Sequence, residues 1–356
     1  MTPADITRFR LANQRITNSS FSAPQEVVSW MGAMQAQDYL MSLWAIGLRT
    51  TGCTEADVEA AIEDGSIVRT WTMRRTIHFA AAEDVHWMMS LTKERIIKAY
   101  GKNMTRLGLD EDHLKKARNV VVKALEQERT LTRDALYERM SAEGIPVDKS
   151  RGIHLLWRIG QEAITCFGPR EGKQYTFVLL DDWVPNRRNL TRDEAISEAT
   201  RRYFTSHGPA TVQDFAWWSG LTMKDVRAGI ASTDLVEETI DGATYYMGAD
   251  QATAQGDGVH LLPSFDEYMI SYKDRSAIMD PADMQLVNRG LNGMFSPIIV
   301  IDGRIEGTWK RKAKTHSVTI DPSPFVRFTQ KTKRGIAGEA ARFGAFLRLD
   351  AEVESR

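Results

Sequence analysis

At 356 residues the chain is too long for one compact core and should divide into roughly two to four modules. Its 42% hydrophobic and 26% charged residues are ordinary for a globular protein, and no apolar run reaches the roughly 20 residues that span a bilayer. A net charge of −1 excludes a bulk polycation, but between residues 301 and 335 nine Lys or Arg stand against Asp302, Glu306 and Asp321 alone. That segment suits either groove and backbone binding or a merely solvated surface. Cys53 and Cys166 are too few for a disulfide framework or a cysteine-based metal site, and the N-terminus lacks a signal-peptide pattern. A cytoplasmic protein without membrane association is expected.

Residues 5–17 and 24–37 read as helices, with Pro24 suited to a first turn. Thr54 is placed to cap a helix over 55–65, and strand-like text follows at 67–72 and 75–79. In the next stretch Leu114, Ala117, Val121 and Leu125 recur at helical spacing over 112–128. Thr132 caps 133–143, a helix covers 151–161, and strands 163–167 and 175–180 close that stretch. A third begins with 192–206 and the turn His207-Gly208-Pro209; Thr211 caps 212–220, and 222–232 leads into a hairpin turned at Asp241-Gly242. Each stretch ends in a hairpin just after a short helix, the plan of a helix-turn-helix with a wing. Three in succession carry the reading where one would not. From residue 257 prolines and alternating segments (296–301, 305–309, 316–320) indicate a mostly β module such as a small open barrel, closed by a helix over 335–346. The fold class expected is α+β: winged helices over 1–90, 91–188 and 189–256, then a β-rich module over 257–356 with a basic hairpin.

Several chemistries lack their motifs. There is no phosphate-binding P-loop, no dinucleotide fingerprint and no G-x-S-x-G elbow. The seven histidines form no metal-ligand spacing, so neither metal nor cofactor is expected. The acidic pairs Asp181-Asp182 and Asp266-Glu267 read as turn or surface features, because strand neighbours point to opposite faces. Asp266 with Arg275 reads as a structural pair, and Trp217-Trp218 as core.

Two segments stand out together. Met34-Gln35-Ala36-Gln37-Asp38 ends an otherwise apolar helix, and Arg69-Thr70-Trp71-Thr72-Met73-Arg74-Arg75-Thr76-Ile77-His78 closes the first repeat. With Leu261-Leu262-Pro263-Ser264-Phe265-Asp266-Glu267-Tyr268 and Tyr272-Lys273-Asp274-Arg275, they resemble the winged-helix DNA glycosylase family of AlkZ and YcaQ over nearly the whole chain. That family is described as three winged helices and a C-terminal β module clamped on DNA. The resemblance implies a catalytic role for Gln35 and Gln37, whose Q-x-Q pattern matches the AlkZ-like branch. Arg75 stands where relatives tend to carry glycine.

Glutamine does not titrate, so neither side chain is a general base. A cationic N7- or N3-alkylated purine leaves readily, however, and two neutral amides suffice to place a water and stabilise an oxocarbenium-like sugar. Residues two apart on a helix differ by roughly 200°, so the helix must end or unwind near Ala36 for both to converge. The plainer alternative has both glutamines finishing an amphipathic helix in solvent.

DNA contacts are expected from Arg69, Arg74, Arg75 and His78. Regular alternation would put Arg74 and His78 on one polar face, Arg74 anchoring a phosphate or bracing the glutamine helix. His78 alone reads more as a hydrogen-bonded structural histidine than as a catalyst. Lys310, Arg311, Lys312 and Lys314 read as a basic hairpin tip for phosphate contact or groove insertion, or as a solvated loop. The implied activity is monofunctional excision of alkylated purines from double-stranded DNA, bulky adducts and interstrand crosslinks included. No lysine or N-terminal proline stands in a nucleophile setting, no nucleotide cofactor is needed, and a clamp in the nucleoid needs no second copy, so a monomer is expected. The rivals are a non-catalytic winged-helix regulator, which would prefer a defined operator, and a protein that sequesters a DNA-alkylating metabolite, which would bind the free compound.

Overall fold

A computed structural model describes residues 1–249, 257–290 and 292–354. Residue 256, where the third module is expected to end, lies outside the described residues. The architecture is mixed α and β, and the chain divides into two units: Ala60–Ala195, and Met1–Glu59 together with Ile196–Arg356.

In the unit Ala60–Ala195 the strands pair in the order His78–Ala81, Ile67–Thr70, Thr165–Glu171, Gln174–Leu179, Leu131–Thr132, all antiparallel. Helices Val85–Arg106, Glu111–Glu128, Arg133–Ala142 and Arg151–Gln161 accompany them. Leu114, Ala117, Val121 and Leu125 form the buried stripe that their spacing predicts, and they share a core with Trp71, Leu155, Ile159, Phe167 and Phe177. Thr132 caps Arg133–Ala142 by accepting from the Ala135 N–H at 3.2 Å.

In the other unit, Arg192–His207 (for most of its length), Val212–Ser219 and Met223–Ala231 precede the hairpin Leu235–Ile240 and Ala243–Gly248. Asp241 and Gly242 turn it with φ of +49° and +78°, the sign that a two-residue hairpin turn requires. Gly229 lets two of these helices meet: a Cβ there would lie 2.1 Å from Thr200 Oγ1. Trp218 is buried, whereas Trp217, expected in the core, is 46% exposed with its Nε1 on the Ile270 carbonyl at 3.0 Å.

The C-terminal part is a five-stranded sheet rather than a barrel, ordered Asp350–Val353, Ser317–Pro324, Arg304–Ala313, Ile298–Ile301, Val259–Leu262. Its first pair is parallel and the rest antiparallel. Helix Gln330–Leu347 brings Phe343 and Phe346 within 5.1 and 5.2 Å of the Trp44 ring, and Phe343 within 5.3 Å of Trp309. Trp44 and Trp309 donate their indole N–H groups to the carbonyls of Leu261 and Leu262 at 2.9 and 2.8 Å, which fixes the entry to the segment that follows.

Candidate active site

Helix Pro24–Met31 ends before the glutamines. Gly32 takes φ +78°, open to a residue without Cβ, and the chain continues extended through Ala33–Gln35. Asp38 then caps helix Tyr39–Gly47, accepting from the Met41 N–H at 3.4 Å. The single helix expected over 24–37 is thus a shorter helix followed by an extended bridge. On extended backbone, residues two apart share a face. Gln35 Nε2 donates to Gln37 Oε1 at 2.5 Å, with Gln35 buried to 9% exposure and Gln37 exposed.

A distant segment supports this bridge. Ser264 Oγ donates to Asp38 Oδ2 at 2.8 Å, and Glu267 Oε1 accepts from the Gln35 backbone N–H at 2.7 Å, across separations of 226 and 232 residues. Glu267 is buried and accepts also from Trp218 Nε1 at 3.0 Å and from Ser271 Oγ. Asp266 caps the short helix Glu267–Ile270 and receives the guanidinium of Arg49 at 2.9 Å on each oxygen, both side chains being fully buried. Asp266 and Glu267 are therefore interior residues, not turn or surface features. The ion pair expected between Asp266 and Arg275 is made by Arg49, while Arg275 Nε donates to the Met269 carbonyl at 2.8 Å. His207 stacks on Tyr203, its Nε2 3.8 Å from Glu267 Oε2; burial pushes its pKa down and keeps it neutral at pH 7.

The two glutamines themselves supply no titrating base. They offer amide donors and acceptors whose backbone is pinned from below. Asp38, Ser264 and Glu267 are members that sequence reasoning passed over. Their only sequence signal is the joint presence of Gln35-Ala36-Gln37-Asp38 and Ser264-Phe265-Asp266-Glu267, because a contact across more than 200 residues leaves no local periodicity.

The expected DNA-contacting residues separate. The alternation expected from Thr70 to His78 breaks at Arg74 and Arg75, whose φ values are +51° and +66°. Glycine, which the resemblance implies at position 75, would take this left-handed backbone freely; Arg75 holds it at a cost of roughly 1–2 kcal/mol. Arg75 is exposed, and Arg74 is half-buried with Nη2 3.5 Å from His78 Nε2. Arg69 and His78 are buried, at 3% and 0% exposure. The Arg69 guanidinium lies 4.6 Å from the Phe167 ring and 4.3 Å from that of Tyr175, and His78 Nδ1 lies 3.0 Å from the Thr76 carbonyl. His78 thus braces the turn, while Arg69 lies against the hairpin of Thr165–Glu171 and Gln174–Leu179.

Lys310, Arg311 and Lys312 lie within strand Arg304–Ala313, paired with Asp321, Ile320 and Thr319, so the expected five-residue tip narrows to Lys314-Thr315-His316. Alternation sets Arg311 on the face of Trp309, 5.9 Å over the Phe343 ring, and Lys310 and Lys312 on the other. Lys310, Lys312 and Lys314 are exposed, and Lys312 Nζ lies 3.5 Å from Glu354 Oε2. Among the described residues no group of three or more His, Cys, Asp or Glu could hold a metal ion. Burial pushes the Cys53 thiol up to about 11 and the Cys166 thiol higher still, which leaves both poor nucleophiles.

The family model for AlkZ-like DNA glycosylases matches residues 28–346. The interstrand DNA cross-link repair glycosylase of Streptomyces sahachiroi is 24% identical over 378 residues, covering 98% of each chain. The solved structure of Streptomyces sahachiroi DNA glycosylase AlkZ shares this fold with a TM-score of 0.82, at 22% identity and over 99% of each chain. With the family model matching most of its length, this chain belongs to the AlkZ-like DNA glycosylase family.

Proposed function

We propose that the protein hydrolyses the N-glycosidic bond of N7- and N3-alkylated purines in double-stranded DNA, with Gln35 and Gln37 as its catalytic pair. The observation that carries this reading is the Gln35–Gln37 amide bond on a bridge whose backbone is held by Glu267. In that pairing the Gln35 carbonyl oxygen is left to orient a water and the Gln37 amide nitrogen to donate to the sugar or the water. The glycosidic electron pair leaves with the cationic base, which departs neutral. Water adds to the anomeric carbon of the oxocarbenium-like sugar and loses its proton to solvent. No lysine adduct forms, so the enzyme is monofunctional, and the scheme requires neither metal nor cofactor.

Arg74, Arg75, Lys310, Arg311, Lys312 and Lys314 are read as phosphate contacts. The relative's name, an interstrand DNA cross-link repair glycosylase, supports extending the substrates to interstrand crosslinks, and bulky adducts are proposed beside them. Helix-then-hairpin order, repeated at Ile67–Thr70 with His78–Ala81, at Thr165–Glu171 with Gln174–Leu179 and at Leu235–Ile240 with Ala243–Gly248, supports three winged-helix modules over 1–90, 91–188 and 189–256 before the β-rich module 257–356. A monomer working in the cytoplasmic nucleoid fits this reading.

The test is incubation with duplex DNA carrying N7-methylguanine, followed by hot alkali to cleave abasic sites. Strand scission is expected, and it falls by roughly a hundredfold or more in Gln35→Ala and in Gln37→Ala while folding and duplex affinity stay near wild type. Absence of scission on N7-methylguanine and on a crosslinked N7 adduct alike would remove the assignment.

A further inference from the structure

The unit Ala60–Ala195 contains a cavity of about 790 Å³ made of other residues than the glutamine cluster. It opens among helix Arg151–Gln161, the hairpin of Thr165–Glu171 and Gln174–Leu179, the turn that carries Arg74 and Arg75, and Tyr100 of helix Val85–Arg106. Its size falls in the range of roughly 300–1,000 Å³ that holds a small ligand.

Two features of the lining point to one ligand chemistry. Aromatic rings form much of the wall: Trp71, Tyr100, Trp157, Phe167 and Tyr175 all face it. Tyr100 and Trp157 lie 4.3 Å apart, Trp71 and Phe167 4.6 Å, and Tyr175 stands 37% exposed at the rim. Cations ring the same space. Arg69, Arg74, Arg75, Arg133 and Lys173 line it against one carboxylate, Asp134, which already lies 3.1 Å from Arg133 Nε. His154 adds no opposing charge: its Nδ1 is 2.8 Å from the Tyr100 hydroxyl. Flat rings bind a flat aromatic body, and a rim of guanidinium and ammonium groups binds an anion attached to it. In a protein whose family acts on DNA, the molecule with both features is a nucleotide.

We infer that this cavity is a second nucleotide site, which takes one unstacked nucleobase against its aromatic wall and that nucleotide's phosphate on Arg133 and Lys173. A free nucleoside monophosphate and a nucleotide within a single strand present the same chemistry, and the experiment separates the two.

The probe is 2-aminopurine deoxyriboside 5′-monophosphate, whose fluorescence is quenched when the base stacks on an aromatic ring. It is titrated into the full chain beside the matching nucleoside and a single-stranded trinucleotide with 2-aminopurine at its centre. Saturable quenching is expected with the monophosphate, and affinity roughly tenfold or more lower for the nucleoside. Tyr175→Ala at the rim should weaken binding by a similar factor, as should Lys173→Glu and Arg133→Glu, three exposed positions where folding is checked by thermal melting. A trinucleotide that binds more tightly than the monophosphate identifies a strand as the source; equal or weaker binding identifies the free nucleotide. Gln35→Ala and Gln37→Ala should leave this binding unchanged, so loss of excision and loss of nucleotide binding are read separately. No quenching, equal affinity for nucleoside and monophosphate, or wild-type affinity in all three pocket variants would overturn the inference.

Discussion

Glu267 holds one oxygen against the Gln35 backbone N–H and the other against Trp218 Nε1 and the Ser271 hydroxyl. Both oxygens accept, which a carboxylate does and a carboxamide does not. Glu267→Gln therefore turns an NH2 group toward one of these donors and loosens the bridge that presents the two glutamines. Losing a hydrogen bond to a charged group costs about 1.5–3 kcal/mol, so excision should fall roughly 10- to 100-fold. Because Glu267 acts through Gln35, the loss should appear in kcat while the Kd for lesion-bearing duplex stays near wild type. Equal excision rates in the variant and wild type would remove Glu267 from the site. The residue types at 35 and 37 are legible from the motif alone. The role of residue 267 is not, because it depends on which backbone N–H the carboxylate meets.

Among the elements, the hairpin of Arg304–Ala313 and Ser317–Pro324 sets its cations by strand alternation, so Lys310 and Lys312 share a face. The contact of Lys312 with Glu354 is an exposed pair at 3.5 Å and holds it weakly. If both lysines meet phosphates, Lys310→Glu with Lys312→Glu should lower duplex affinity and reduce the slope of log affinity against log salt by roughly two. An unchanged slope would place this face away from DNA. Elements with an apolar stripe or a clear cap were the legible ones: Arg151–Gln161 falls where its pattern puts it, without a side-chain cap, and Arg133–Ala142 begins at its Thr132 cap. Tyr39–Gly47 has no expected counterpart, because buried residues lie on nearly every side of it and no apolar stripe emerges. The helix expected over 24–37 failed at Gly32 for a different reason. Its apolar residues continue past the glycine at a spacing that either conformation accommodates; the structure makes Ala33–Gln35 a strand, with Glu267 on the Gln35 N–H and Ser264 on Asp38 holding the segment that follows it.

For the molecule as a whole, acid is the expected weakness. His260, on strand Val259–Leu262, is buried with neither ring nitrogen hydrogen-bonded among the described residues, and burial, helped by Arg342, drives its pKa down to about 4. Its folded pKa lies below the ordinary 6.5, so its contribution is complete above pH 6.5 and is lost as pH falls toward 4. That difference amounts to about 3 kcal/mol, lost in full only below pH 4, where the folded protein is protonated as well. His260→Leu should flatten the decline in urea-unfolding stability between pH 6.5 and 4.5; identical pH slopes for variant and wild type would exclude His260 as its source. The sequence by itself determined the α+β class, the capped amphipathic helices, the pair of glutamines and the basic stretch, because period, capping and composition act over a few neighbouring residues. Only the tertiary structure decided that Arg49 neutralises Asp266, that Glu267 pins Gln35, and that Arg69 and His78 are buried. Arg49 with Asp266, Glu267 with Gln35 and Arg69 with Phe167 and Tyr175 each join residues far apart along the chain, where desolvation makes the partner obligatory and no local pattern records it.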